Sequence, residues 1–137
     1  MPRELKRKIV EDPILKTRVM FLLGCDYLEM AKELKKLKLD VDEDYFKNAE
    51  GAQLNFVGRG YDNPMRVVWV EHSGKTPEAI GVAAHEIFHL VVRICEWKGI
   101  PITAQNNQDE TAAYLQDFYM CKYIDLLYKK PKRKNIT

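Results

Sequence analysis

The chain has 137 residues, 46% of them hydrophobic and 31% charged, with 22 Lys and Arg against 20 Asp and Glu for a formal net charge of +2. That length holds a single hydrophobic core as one domain and leaves no room for a separate substrate domain, so any site must be built inside one unit. A charge balance this close to neutral raises no strong field toward nucleic acid or an acidic substrate, which sets nucleic-acid binding aside as a leading function.

Met1 to Asp12 carries Arg3, Lys6, Arg7 and Lys8 with no apolar periodicity and reads as a solvated basic arm or short helix. From Ile14 to Leu23 mixed polarity gives way to an unbroken apolar run before Gly24, the pattern of a strand becoming central in a sheet. Asp26 and Glu29 are spaced as a capping box, and Tyr27, Met30, Ala31, Leu34 and Leu37 then share one helical face, predicting a helix over Tyr27 to Lys38. Its lysines are a solvated face.

Asp40 to Glu50 is acidic. The alternation of Asp40, Asp42 and Asp44 suits a calcium loop, but the central glycine and the terminal bidentate glutamate are missing, so this stretch reads as an exposed linker. Ala52 to Val57 and Met65 to Glu71 read as two strands joined by turn-forming residues at 58–64, which suit an antiparallel connection. His72 follows in a Ser-Gly turn and reads as an exposed loop histidine. Thr76 and Pro77 open a helix that Gly99, Ile100 and Pro101 close, giving Pro77 to Lys98, about 33 Å at 1.5 Å per residue. A last helix is expected near Gln108 to Lys129, with Leu115, Phe118, Tyr119, Met120, Ile124 and Leu127 leaving little of it unburied. The basic residues at 129–134 read as a disordered tail. Cys25, Cys95 and Cys121 form no C-x-x-C pair, and each lies among apolar neighbours as a small buried hydrophobe. Without a signal peptide or long apolar span, the expected compartment is the cytoplasm, away from membranes.

The long helix carries the chemistry. From Ala79 to Val92 its only polar side chains are His85, Glu86 and His89. Two histidines four apart leave one helical face one turn apart, where both imidazoles can hold one metal ion, and Glu86 on the flank can reach a water there without being a ligand. Ala83, Ala84, Ile87, Phe88, Leu90 and Val91 around them predict a helix buried nearly all round. Two imidazoles and a carboxylate buried among such neighbours are costly unless a metal or polar partners compensate; the competing reading is two core histidines satisfied by backbone carbonyls.

Over His72 to Tyr119 the chain resembles the zincin-like zinc metallopeptidases, whose motif is H-E-x-x-H. The metzincin form is excluded because Val92 and Cys95 stand where it needs glycine and a third histidine. A glutamate from a following helix makes the site similar to the gluzincins, and Asn107-Gln108-Asp109-Glu110-Thr-Ala-Ala-Tyr114 offers one, as in small phage-encoded proteins and the ImmA/IrrE-type peptidases of mobile elements. The resemblance implies an α+β, zincin-like domain: a small mixed sheet packed on the motif helix and a C-terminal helix, in the order β-α-β-β-α-α. It also implies that the strand just before the motif helix, Arg66 to Val70, edges a cleft and pairs with extended substrate; otherwise that strand is an ordinary one with Trp69 in the core.

Zn²⁺ is then expected on His85, His89 and Glu110, with Asp109 as the alternative third ligand. Against both stands a capping pair of Asn107 and Glu110 that merely starts the helix. Tyr114 and Asp117 share Glu110's face but read as packing and surface residues. The implied activity is hydrolysis of peptide bonds in a peptide or protein substrate, with Glu86 as the general base. The alternative is a non-catalytic zinc-binding regulatory or interaction protein on the same fold.

Overall fold

A computed structural model describes residues 5–56 and 65–130. In chain order these form strands β1 (Lys6–Glu11) and β2 (Arg18–Leu23), helix α1 (Tyr27–Lys36), strands β3 (Gly51–Phe56) and β4 (Met65–Val70), and helices α2 (Pro77–Lys98) and α3 (Glu110–Tyr128), with short 3₁₀ turns at Glu43–Phe46 and Gln105–Asn107. The mixed α+β class matches the expectation. The turn expected at 58–64 and the tail beyond Lys130 lie outside the described residues.

The strands form one sheet in the order β1-β2-β4-β3. β1 runs antiparallel to β2, β2 parallel to β4, and β3 antiparallel to β4. The apolar run of β2 follows from its place in the interior, because both of its faces are covered. Val19, Phe21 and Leu23 join Val68 and Val70 of β4 under α2 and α3, while Met20 and Leu22 join Val67 and Trp69 under Met30 and Leu34 of α1. The sheet thus lies between α1 on one face and the α2–α3 pair on the other. Trp69, fully buried, donates its indole N–H to the backbone carbonyl of Cys25 at 2.9 Å, which ties β4 to the start of α1.

Two expectations about strands are corrected. Residues 6–11 are not a solvated arm or a short helix but an edge strand, in which only Val10 is buried. An edge strand needs few inward side chains, and charge on it discourages pairing with other chains. Lys6 has a further partner: its ammonium donates to the carbonyls of Leu127 (2.7 Å) and Lys129 (3.0 Å), the orphaned acceptors at the end of α3. The second correction concerns Arg66 to Val70, which has neighbours on both sides and no free edge; on that side of the sheet the outermost strand is β3.

The β1–β2 connection is built round a buried carboxylate. Asp12 accepts the backbone N–H groups of Ile14, Leu15 and Thr17 and the hydroxyl of Tyr119 from α3. Burial and the neighbouring Asp12 push the Tyr119 phenol well above its ordinary range, so it remains a donor. This connection explains why the strand starts at Arg18 and not at Ile14.

The helix ends follow their capping chemistry. The Asp26 carboxylate accepts the Glu29 N–H at 2.8 Å, and α1 stops near Lys36 because Lys38 turns left-handed at φ 61°. The acidic stretch before β3 is not a bare linker: it contains the 3₁₀ turn, and Val41, Phe46 and Ala49 pack on the Trp69 cluster. α3 begins at Glu110 and not at Gln108, since Asn106 and Asn107 both take left-handed conformations, at φ 56° and 57°. No helix among the described residues is long and apolar enough to cross a membrane.

Candidate functional site

Helix α2 fixes the site. The Thr76 hydroxyl accepts the Ala79 N–H at 3.2 Å, and Pro77 takes the first helical position. At the other end Gly99, at φ 67°, lets its own N–H reach the Glu96 carbonyl and the Ile100 N–H reach that of Cys95. That pairing is a Schellman closure, which glycine makes without strain. With 22 residues between these caps, the helix passes straight through Val92 and Cys95.

One face of α2, formed by Ala83, Ile87, Leu90, Val91 and Ile94, is buried on the sheet. The opposite face is open, which corrects the expectation of a helix buried nearly all round. The His85 side chain is 67% exposed and Phe88 is 57% exposed. The polar groups at 85 and 89 therefore bear no large desolvation cost, and the reading as core histidines satisfied by backbone carbonyls does not hold.

The two imidazoles converge, with Nε2 of His85 and Nε2 of His89 3.1 Å apart and their ring planes at 82°. Two nitrogens on one tetrahedral zinc, each about 2.0–2.1 Å from the ion, lie about 3.3 Å from each other. The pair is thus already close to the bite that chelation needs. Glu86 sits lower on the flank, its side chain 13% exposed and its Oε1 4.0 Å from Nε2 of His85. A carboxylate there reaches the neighbourhood of the histidines without being their ligand.

An open cleft of about 610 Å³ runs along this flank, lined by residues that include His85, Glu86, Val82 and Glu78 from α2 and Asn48 to Gly51 leading into β3. Glu50, Glu78 and Glu86 line it, and among the described residues no Lys or Arg does. The contribution of Asn48 to Gly51 is not marked in the sequence by any motif. The one signal is a glycine opening a strand, which often marks close backbone approach.

The third expected ligand stands apart. Glu110 lines a smaller pocket with Ile14, Leu15, Thr111, Tyr114 and Leu115, between the β1–β2 connection and the first turn of α3. Among the described residues no group of three His, Cys, Asp or Glu is poised to hold a metal ion. Glu110 and Asn107 do not form a capping pair, because α3 has Asp109 at its cap with no side-chain hydrogen bond. Lys75 lies 4.3 Å over the Tyr128 ring, so the end of α3 meets the start of α2.

The remaining polar candidates have ordinary roles. Tyr114 stacks on Phe118, and the Asp117 carboxylate faces the Cys121 thiol at 3.8 Å. His72 is exposed and lies 3.6 Å from the Glu71 carboxylate. Cys25 and Cys95 are buried and burial pushes both thiols up, Cys25 to about 12, whereas Cys121 is exposed, against expectation. Comparison of the chain with protein-family models, with curated proteins and with solved structures returns no match.

Proposed function

We propose that the protein is a zinc-dependent metallopeptidase of the zincin-like, gluzincin type. The observation that carries this reading is the convergence of two exposed imidazoles, Nε2 to Nε2 3.1 Å, with a carboxylate flanking them at the wall of an open cleft. His85 and His89 would hold Zn²⁺, and Glu110, on the first turn of the neighbouring helix α3, whose cap makes no side-chain hydrogen bond, would be the third donor. Zinc held there would supply Lewis acidity, polarising an amide carbonyl and making a water acidic enough to lose a proton near neutral pH.

The chain's own part in the reaction falls to Glu86. It takes a proton from water as the water oxygen bonds to the peptide carbonyl carbon, and it returns that proton to the nitrogen as the C–N bond breaks. Its position against β3 holds the carboxylate beside the histidines without placing it between them.

A second reading, a non-catalytic zinc-binding regulatory or interaction protein, draws on the separation of Glu110 from the histidine pair. The variant Glu86→Gln distinguishes the two. It keeps side-chain size and removes the base, so a peptidase retains zinc and fold but loses turnover by about a hundredfold or more on a broad peptide library. Chelator-sensitive cleavage by the wild type that disappears in Glu86→Gln establishes the peptidase. Equal cleavage by both removes the role given to Glu86, and zinc binding without cleavage by either favours the second reading.

A further inference from the structure

We infer that Gly51, at the first position of β3, is a positioning residue for Glu86, and that the absence of a side chain there sets where the general base stands. The inference rests on the peptidase reading of Glu86. Its geometric basis is separate.

Glycine is retained in a strand at a cost in chain entropy and lost packing, and two needs justify it: a backbone conformation closed to other residues, or close approach of another group. The first need is absent here, because Gly51 is not among the positive-φ glycines Gly24 and Gly99. The second is present. A Cβ at Gly51 would lie 2.9 Å from the Trp69 carbonyl oxygen, 3.0 Å from Cγ1 of Val82 and 3.4 Å from Cγ of Glu86. Two of these three neighbours belong to α2, and one of them is the stem of the proposed base.

Something must give if a methyl group is added, and the strands are the stiffer side. Gly51 pairs with Val70 across the β3–β4 ladder, and the Glu71 N–H donates to the Glu50 carbonyl at 2.8 Å, so the start of β3 is pinned to β4 at successive residues. Trp69, whose carbonyl is the nearest contact, is fully buried and held through its indole. The Trp69 contact lies within the sheet and is met by a small shift of β3 against β4, while toward α2 the side chains of Val82 and Glu86 are the groups that yield. The histidine pair is spared, because a turn of the Glu86 side chain away from β3 leaves the backbone of α2 in place, and the approach of His85 to His89 is set within one turn of that helix. Displacement of a reacting group by about 1 Å can lower turnover by about a hundredfold, and the few tenths of an ångström called for here lower it by several fold. Gly51 therefore acts on the base and leaves the chelating pair intact.

The test is Gly51→Ala, alone and with Val82→Ala, which removes the nearer of the two side-chain contacts. Four readouts are taken: kcat and KM on a peptide the wild type cleaves, zinc affinity by chelator competition, the ¹³C carboxyl resonance of Glu86 in the metal-free protein, identified by its loss in Glu86→Gln, and the imidazole resonances of His85 and His89. In Gly51→Ala the expected results are a moved Glu86 resonance, unmoved imidazole resonances, kcat lowered about 5- to 10-fold, and KM and zinc affinity within about threefold of wild type. Adding Val82→Ala returns the resonance and kcat toward wild type. A Glu86 resonance unmoved in folded Gly51→Ala overturns the inference, as does a loss of zinc affinity in step with kcat. If Gly51→Ala does not fold, the double variant is compared with Val82→Ala by the same criteria. Should the wild type cleave nothing, the peptidase reading fails while the resonance still decides whether Gly51 places Glu86.

Discussion

Replacing Asp12 with Ala tests how the turn beneath α3 is held. The carboxylate is fully buried and takes four donors: the N–H groups of Ile14 (3.1 Å), Leu15 and Thr17 (3.0 Å), and the Tyr119 hydroxyl (3.3 Å). These losses are unequal. Tyr119 still has the Thr17 carbonyl at 3.2 Å as an acceptor, and Ile14 and Leu15 are exposed enough to rehydrate. The Thr17 N–H, in buried surroundings, loses its partner outright. A buried donor left alone costs about 1–3 kcal/mol and a hydrogen bond to a charged group is worth about 1.5–3 kcal/mol, so one full orphan and three partial losses come to about 3–4 kcal/mol. For a domain of this size that is a drop in Tm of about 10 °C. Asp12→Asn keeps one acceptor oxygen but turns an NH₂ toward donors, and it should cost about half as much. Urea unfolding reads the effect as a lower midpoint at unchanged slope. A loss below about 1 kcal/mol for Asp12→Ala, or no coupling with Tyr119→Phe in a double-mutant cycle, would refute the buried-acceptor account.

Two further outcomes are expected. Purified protein should bind about one zinc per chain, with His85→Ala and His89→Ala each abolishing it and Glu110→Ala weakening it far more than Asp109→Ala. Inductively coupled plasma mass spectrometry on the purified variants checks this, and full metal retention by both histidine variants would place the site elsewhere. Alkaline pH should destabilise the fold. Burial, with Glu29 and Asp26 nearby, raises the Cys25 thiol from 9.0 to about 12, and burial raises the Tyr123 phenol to about 12. The folded state then keeps protons that the unfolded chain has released, so stability falls as pH rises above about 9, by about 1.4 kcal/mol per pH unit for each such proton. Cys25→Ala should flatten that decline by one proton's worth in urea titrations between pH 8 and 11, and an unaltered slope would exclude the thiol.

Much of the frame was legible because strong local rules agreed with it. Thr76, Pro77 and Gly99 marked both ends of α2 to the residue, and Asp26 marked the start of α1. The apolar run of β2 announced a strand covered on both faces. β1 was hidden because an edge strand with one buried residue looks like solvated charge; its pairing is a backbone property that leaves little trace in side-chain pattern. The exposure of the α2 face was misread for a related reason. Phe88 and Val92 are apolar yet lie toward the open side, and composition alone does not say which face a neighbour covers. Spacing within one helix foretold the His85–His89 pair, whereas Gly51 and Glu110 come to their places through long-range packing that no local pattern encodes.

The ammonium of Lys6 bonds to carbonyls 121 and 123 residues further along the chain. In kinetic terms this clasp is expected late in folding, because it closes more than a hundred residues of chain. Hairpin pairing of β1 with β2 is local and rapid, but the contact that secures the outer strand must wait for α3 to be formed and docked. Until then β1 presents an open rim kept from sticking by its own positive charge. The same lysine thus protects the unfinished sheet early and, once the last helix arrives, neutralises the negative end of its dipole.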